Sequence, residues 1–110
     1  MIVRMWHGVV KAGSEQKYID HLKRSTFPAL NQMNGFVRAQ ILGSPVSDGT
    51  EFCIITQWES MQAIRSFAGP STSDAVVPDE ASALMVNYDR QVRHYQFEYE
   101  LNKERDEHQQ

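Results

Sequence analysis

The stretch from Glu51 to Pro70, EFCIITQWESMQAIRSFAGP, changes its hydrophobic period from two residues to about three and a half near its middle. Such a change requires a strand that runs straight into a helix. Phe52, Ile54, Thr56 and Trp58 fall on one side of the extended part and Cys53, Ile55, Gln57 and Glu59 on the other, with β-branched and aromatic residues dominating. Both faces read as at least half buried. Ser60 is placed to cap the helix, Ala63, Ile64 and Phe67 recur at helical spacing, and Gly69-Pro70 stops it. A central strand with an amphipathic helix packed on it follows.

The N-terminal residues Ile2 to Val10 alternate Ile2, Arg4, Trp6 and Gly8 against Val3, Met5, His7 and Val9, which predicts a first strand with one strongly apolar face. Ala12-Gly13-Ser14 breaks it. Ser14 can cap a helix in which Tyr18, Ile19, Leu22 and Thr26 share one face while Lys17, Asp20, His21, Lys23 and Arg24 are turned away. Pro28 is expected to end or kink this helix near Thr26 or Phe27, with a short further turn before Asn34-Gly35. Phe36 to Leu42 forms a second strand, joined to the Glu51 strand by a hairpin loop over Gly43 to Thr50, which is dense in turn formers. Pro70 to Arg90 is the least regular stretch, with short helical possibilities at Ser73 to Val76 and Asp79 to Val86; segments of this kind often serve as lids or pocket walls. Gln91 to Glu100 alternates as a last strand, and the polar residues 101–110 read as a tail to a single domain over 1–100.

Strand, helix, strand, strand, helix, strand is the ferredoxin-like order, an α+β fold with a four-stranded antiparallel sheet and helices on one face. The other face cannot be left in water if it carries residues such as Trp6 or Trp58. Pairing two sheets across a two-fold axis would bury it, so a homodimer is expected.

A length of 110 residues supports one two-layer core. A net charge of −3 offers no basic field for phosphate backbones, which excludes nucleic acid as an expected partner. No apolar run approaches the ~20 residues that span a membrane, so no membrane partner is expected either. Cys53 is the single cysteine, so no intrachain disulfide forms and a reducing, cytoplasmic home is expected.

Three segments, IVRMWHG, QWESMQAIRSFAG and VRHYQFE, in that order and spacing, resemble the antibiotic biosynthesis monooxygenase-like (ABM) family of dimeric α+β barrels. The resemblance spans Met1 to about Tyr99. It implies a small homodimer with a pocket in each subunit between sheet and helices. Some members oxygenate phenolic or anthrone-like compounds without metal, flavin or haem, and others degrade haem. The haem-degrading branch uses an asparagine on strand one, a tryptophan late in the second helix and a histidine soon after. His7, Phe67 and Val77 stand at about those places, so the haem roles do not carry over.

Among residues that could carry chemistry, His7 shares its predicted face with Val3, Met5 and Val9. Desolvation there would favour the neutral imidazole and suit a general base, against the bland reading of a satisfied core histidine. His94 and Tyr95 lie on the last strand, beside the first, and only one of them can face the helices. If that is Tyr95, it can hydrogen-bond a substrate oxygen and His94 lies in the dimer interface. Met5, Trp58, Phe67, Val77, Leu84 and Met85 are the expected pocket lining, with Val76 beside them; core packing is the alternative for each. Cys53, in a buried strand with no CxxC, reads as a structural thiol. The four histidines are scattered, and GxGxxG, GxxxxGK[ST] and GxSxG are absent, so neither a metal nor a nucleotide cofactor is expected. The leading expectation is cofactor-independent monooxygenation of a small aromatic or polyketide-like compound, with His7 as base and Tyr95 as a further catalytic candidate. The alternative is a non-catalytic or stress-related small-ligand binder.

Overall fold

A computed structural model describes residues 1–103 of the chain. Strand β1, Ile2–Lys11, is followed by helix α1, Glu15–His21, a π-helical turn over Leu22–Thr26 and helix α2, Phe27–Asn31. Strands β2, Phe36–Val46, and β3, Gly49–Trp58, lead to α3, Met61–Ala68. Then come a short helix α4, Asp79–Ser82, and strands β4, Met85–Tyr88, and β5, Arg93–Gln96. The sheet runs β2-β3-β1-β4, and β5 also pairs with β1, every pair antiparallel. This is the ferredoxin-like α+β fold that the period switches predict. Its last strand is divided, because β4 covers Gly8 to Val10 of β1 while β5 covers Ile2 to Met5. The expected strand over Gln91 to Glu100 is thus only the shorter β5, and residues 104–110 of the predicted tail lie outside the described residues.

Local chemistry accounts for the helix boundaries, with two exceptions. Ser60 caps α3 by accepting from the Ala63 N–H at 3.2 Å, and Gly69, at φ +85°, closes its C-terminus. Ser14 occupies the α1 cap position without a side-chain bond; the Glu15 carboxylate instead accepts from the Gly13 N–H at 2.7 Å and the Thr50 hydroxyl at 3.0 Å. Nor does Pro28 end its helix. The Phe27 N–H reaches back five residues to the Leu22 carbonyl, so the chain widens into a π turn where proline supplies no N–H. The extra residue leaves Ser25 outside and brings Phe27 inward. The β2–β3 hairpin is also longer than predicted. It runs through Pro45, which an edge strand tolerates.

The two faces of β1 are assigned opposite to expectation. Arg4, Trp6, Gly8 and Val10 are buried beneath the helices, whereas Val3, Met5, His7 and Val9 occupy the open face and are half-buried. Trp6 and Trp58 both belong to the helix side, so the open face is not the tryptophan face. Gly8 explains part of this. A Cβ there would stand 2.5 Å from the Trp6 ring, so glycine makes the space that lets the indole lie flat over β1. The core has two lobes, one around Trp6, Val10, Tyr18, Leu22, Phe52 and Met85, the other around Leu30, Trp58 and Ile64.

Candidate functional site

Between the lobes, bounded by the sheet and the helices and open on one side, is a cavity of about 70 Å³. Arg4 and Trp6 of β1 and Ile54 and Thr56 of β3 form its floor, with Met85 and Val92 at the β4–β5 edge. Tyr18, His21, Leu22, Thr26, Phe27 and Leu30 form the roof, which is why the π turn matters: it aims Thr26 and Phe27 at the cavity. Phe67 of α3 and the segment Val76 to Pro78, with Ala81 of α4, form the walls. The irregular stretch is therefore a pocket wall, and it is sewn to the sheet. Ala75 N–H donates to the Arg90 carbonyl at 2.9 Å, and Val92 N–H to the Ser73 carbonyl at 2.8 Å.

Two polar groups stand out in this apolar enclosure. Arg4, 4% exposed, donates through Nη1 to the Thr72 carbonyl and through Nη2 to the Asp74 carbonyl at 2.8 Å, and its guanidinium lies 5.6 Å from the Phe67 ring centroid. Nη1 also lies 3.0 Å from His94 Nε2. A guanidinium has only donors, so Nε2 is the acceptor and the proton of a neutral His94 sits on Nδ1. Burial, and then the Arg4 charge, lowers the His94 pKa from its ordinary 6.5. Burial also lowers the pKa of Arg4, which stays charged. Among the described residues no carboxylate pairs with it.

His21, 2% exposed, is the second group. Neither ring nitrogen has a hydrogen-bond partner among the described residues, although Nδ1 lies 3.5 Å from a Glu80 carboxylate oxygen on α4. A buried polar group left unpaired is costly, so such an atom at a cavity wall marks a place where a ligand or water completes the bonding. Beside it, the Tyr18 hydroxyl has its pKa pushed up by burial and is held as a phenol.

The positions of the sequence-derived candidates divide. Phe67, Val77 and Met85 line the cavity, as does Val76. Trp58 stands behind the wall, stacked on Phe67 with centroids 5.6 Å apart, and its indole N–H donates to the Thr56 hydroxyl at 2.9 Å. Leu84 packs against the core outside the cavity, and Met5 is on the open face. His7 is there too, 3.7 Å from an Asp89 oxygen with its side chain 41% exposed, so it does not reach the cavity. Tyr95 pairs with Val3 on the open face and is exposed, while His94 takes the helix side opposite Arg4. That reverses the arrangement in which Tyr95 served the pocket. Cys53 is half-buried, with its pKa raised by burial and by Glu51, as befits an unreactive thiol. Among the described residues, no three histidine, cysteine or acidic side chains gather as metal ligands.

Sequence reasoning passed over Arg4 and His21. Arg4 shares the parity of Trp6, and His21 is three residues after Tyr18 and one before Leu22, on the flank of the helix's apolar face. Those spacings were the available signals.

Fold and cavity together define a ferredoxin-like α+β domain with a mostly apolar cavity between its sheet and its helices. Residues 1–76 match the family model described as antibiotic biosynthesis monooxygenase, and the chain belongs to that family. No curated protein matches it. Among solved structures it is similar to SnoaB, a cofactor-independent oxygenase from Streptomyces nogalater, at 18% identity and a TM-score of 0.64, over 93% of this chain and 97% of that one. It is similar also to the ActVA-Orf6 monooxygenase of Streptomyces coelicolor in complex with nanaomycin D, at 20% identity and 0.64, over 94% and 92%. The haem degrader MhuD of Mycobacterium tuberculosis, with two haems in its active site, matches at 17% and 0.65, over 93% and 100%. Such identities establish a shared fold, on which different chemistries are built. No helix among the described residues is long and apolar enough to cross a membrane.

Proposed function

We propose that the protein is a cofactor-independent monooxygenase of a small, electron-rich aromatic compound bound in this cavity. The observation that carries the reading is His21, buried at the cavity wall with neither ring nitrogen hydrogen-bonded among the described residues and with Nδ1 3.5 Å from a Glu80 carboxylate oxygen, in a member of this family. His21 takes the phenolic proton of the substrate. The phenolate passes one electron to dioxygen, the resulting superoxide and phenoxyl radical join in a carbon–oxygen bond at a ring carbon that bears hydrogen, and the proton on His21 goes to the peroxide. Loss of water from the hydroperoxide leaves a quinone, so one oxygen atom enters the product and the other leaves as water. Apolar walls favour the sequence by keeping solvent from the intermediates.

The cavity volume narrows the substrate. About 70 Å³ is far below the roughly 300 Å³ or more of sites for drug-sized ligands, so a single ring suits it better than a polycycle. The same argument counts against haem. The reading includes a homodimer, supported by the half-buried apolar residues Val3, Met5, Val9 and Ile55 on the open face.

Oxygen uptake by metal-stripped protein with one-ring hydroquinones and phenols tests the proposal. Uptake without added cofactor is expected, falling by about 10²-fold or more in His21→Ala and unchanged in His7→Ala. Saturable binding with no uptake across the panel would instead favour the non-catalytic binder.

A further inference from the structure

Arg4 is a buried cation whose partners among the described residues are all neutral: two main-chain carbonyls and an imidazole nitrogen. Of the five N–H donors of a guanidinium, these use three. The Nε–H and one Nη2 hydrogen take no partner among the described residues. Nε and Nη2 are neighbours on one edge of the guanidinium, the edge that grips a carboxylate through two parallel bonds. The side chain lines the cavity and is held in place by Thr72, Asp74, His94 and the Phe67 ring before any ligand arrives. His94 cannot neutralise it, since burial and the Arg4 charge both favour the uncharged imidazole. A fixed positive charge with two unused donors, lining a mostly apolar cavity, is a site for an anion.

We propose that the ligand is a single-ring hydroxylated aromatic carboxylate, its carboxylate held by the free edge of Arg4. Its ring lies among Trp6, Phe27, Phe67 and Met85, and its hydroxyl meets His21, whose ring nitrogens take no hydrogen bond among the described residues. This inference rests on the reading of the cavity as a ligand site and names the substrate class for it. Arg4 then positions the ring, and the free energy of its ion pair with the ligand offsets the cost of keeping the guanidinium out of water.

The test is a calorimetric titration of the full chain, near neutral pH, with 4-hydroxybenzoate and with 4-hydroxybenzamide, which differ only in the charge and hydrogen bonding of one substituent. The acid is expected to bind at least about ten-fold more tightly than the amide. Arg4→Lys, which keeps the charge and loses the fork, is expected to remove most of that preference, and Arg4→Gln all of it. Equal affinities in the unaltered protein, no binding of the acid, or a preference that survives Arg4→Gln in folded protein would overturn the proposal. The comparison of acid with amide needs no variant, so it decides even if the Arg4 substitutions do not fold. An acid that binds through Arg4 without oxygen uptake would sink the oxygenase reading and leave the anchor standing. Uptake on neutral phenols with no preference for the acid would do the reverse.

Discussion

Arg4 and His94 face each other across the β1–β5 pair, Nη1 to Nε2 at 3.0 Å, and the Arg4 side chain lines the cavity. Burial and the Arg4 charge favour the neutral imidazole in the fold, so His94 serves the Arg4 cation as an acceptor.

That pair makes stability depend on pH. The folded His94 pKa is lowered from 6.5, so below that value the unfolded chain binds the proton more readily than the fold does. The stabilisation is fully present above about pH 6.5 and is lost as pH falls through the lowered folded value, levelling off below it. Thermal unfolding followed from about pH 7.5 to about pH 4.5 should show this fall, and His94→Gln should flatten that part of the curve.

His21→Leu should separate stability from function. It replaces two buried nitrogens that take no hydrogen bond among the described residues with a side chain that suits the apolar roof, at the cost only of the 3.5 Å approach of Nδ1 to the exposed Glu80 carboxylate, and a gain of about 1 kcal/mol in urea unfolding is expected. Oxygen uptake should be lost in the same variant. A loss of stability would mean that His21 has a bonding partner in solution.

Gly8→Ala tests the close approach of the Trp6 ring. The added methyl would stand 2.5 Å from the indole, so the ring must shift, and a loss of about 1–3 kcal/mol is expected by denaturant titration. Trp6 fluorescence should report the displacement.

Trp58 is fully buried between Phe36, edge-on at 5.4 Å, and Phe67, stacked at 5.6 Å. Trp58→Ala should cost about 3–5 kcal/mol. Because Phe67 leans on it, the same change should weaken ligand binding although Trp58 does not line the cavity.

Ile55→Lys puts a charge on the open face of the sheet, away from the cavity. Light scattering should give twice the chain mass for the unaltered protein and the single-chain mass for the variant. A monomeric parent would remove the dimer from the proposed function.

Sequence by itself determined the fold and the order of its elements as far as α3, but not the division of the last strand into β4 and β5. The switch from period two to helical period at Trp58-Glu59-Ser60, the Ser60 cap and the Gly69 stop are local signals, and local signals survive without knowledge of the rest of the chain. Phe67, Val77 and Met85 at the cavity were legible for the same reason, through helix spacing and a place in the irregular wall. Only tertiary structure decided which face of β1 is inside. Alternation gives two faces and does not say which meets the helices. Here the face richer in apolar residues is the open one, because the inner face spends one position on Gly8, for the Trp6 ring, and one on Arg4, for the cavity. His7 was misplaced on that account, and Tyr95 and His94 were exchanged with it. His21 was read as solvent-facing because a helix flank becomes interior only when another element covers it. The element beside it, α4, whose Glu80 lies 3.5 Å from the His21 ring, comes some sixty positions later in a segment without a period of its own.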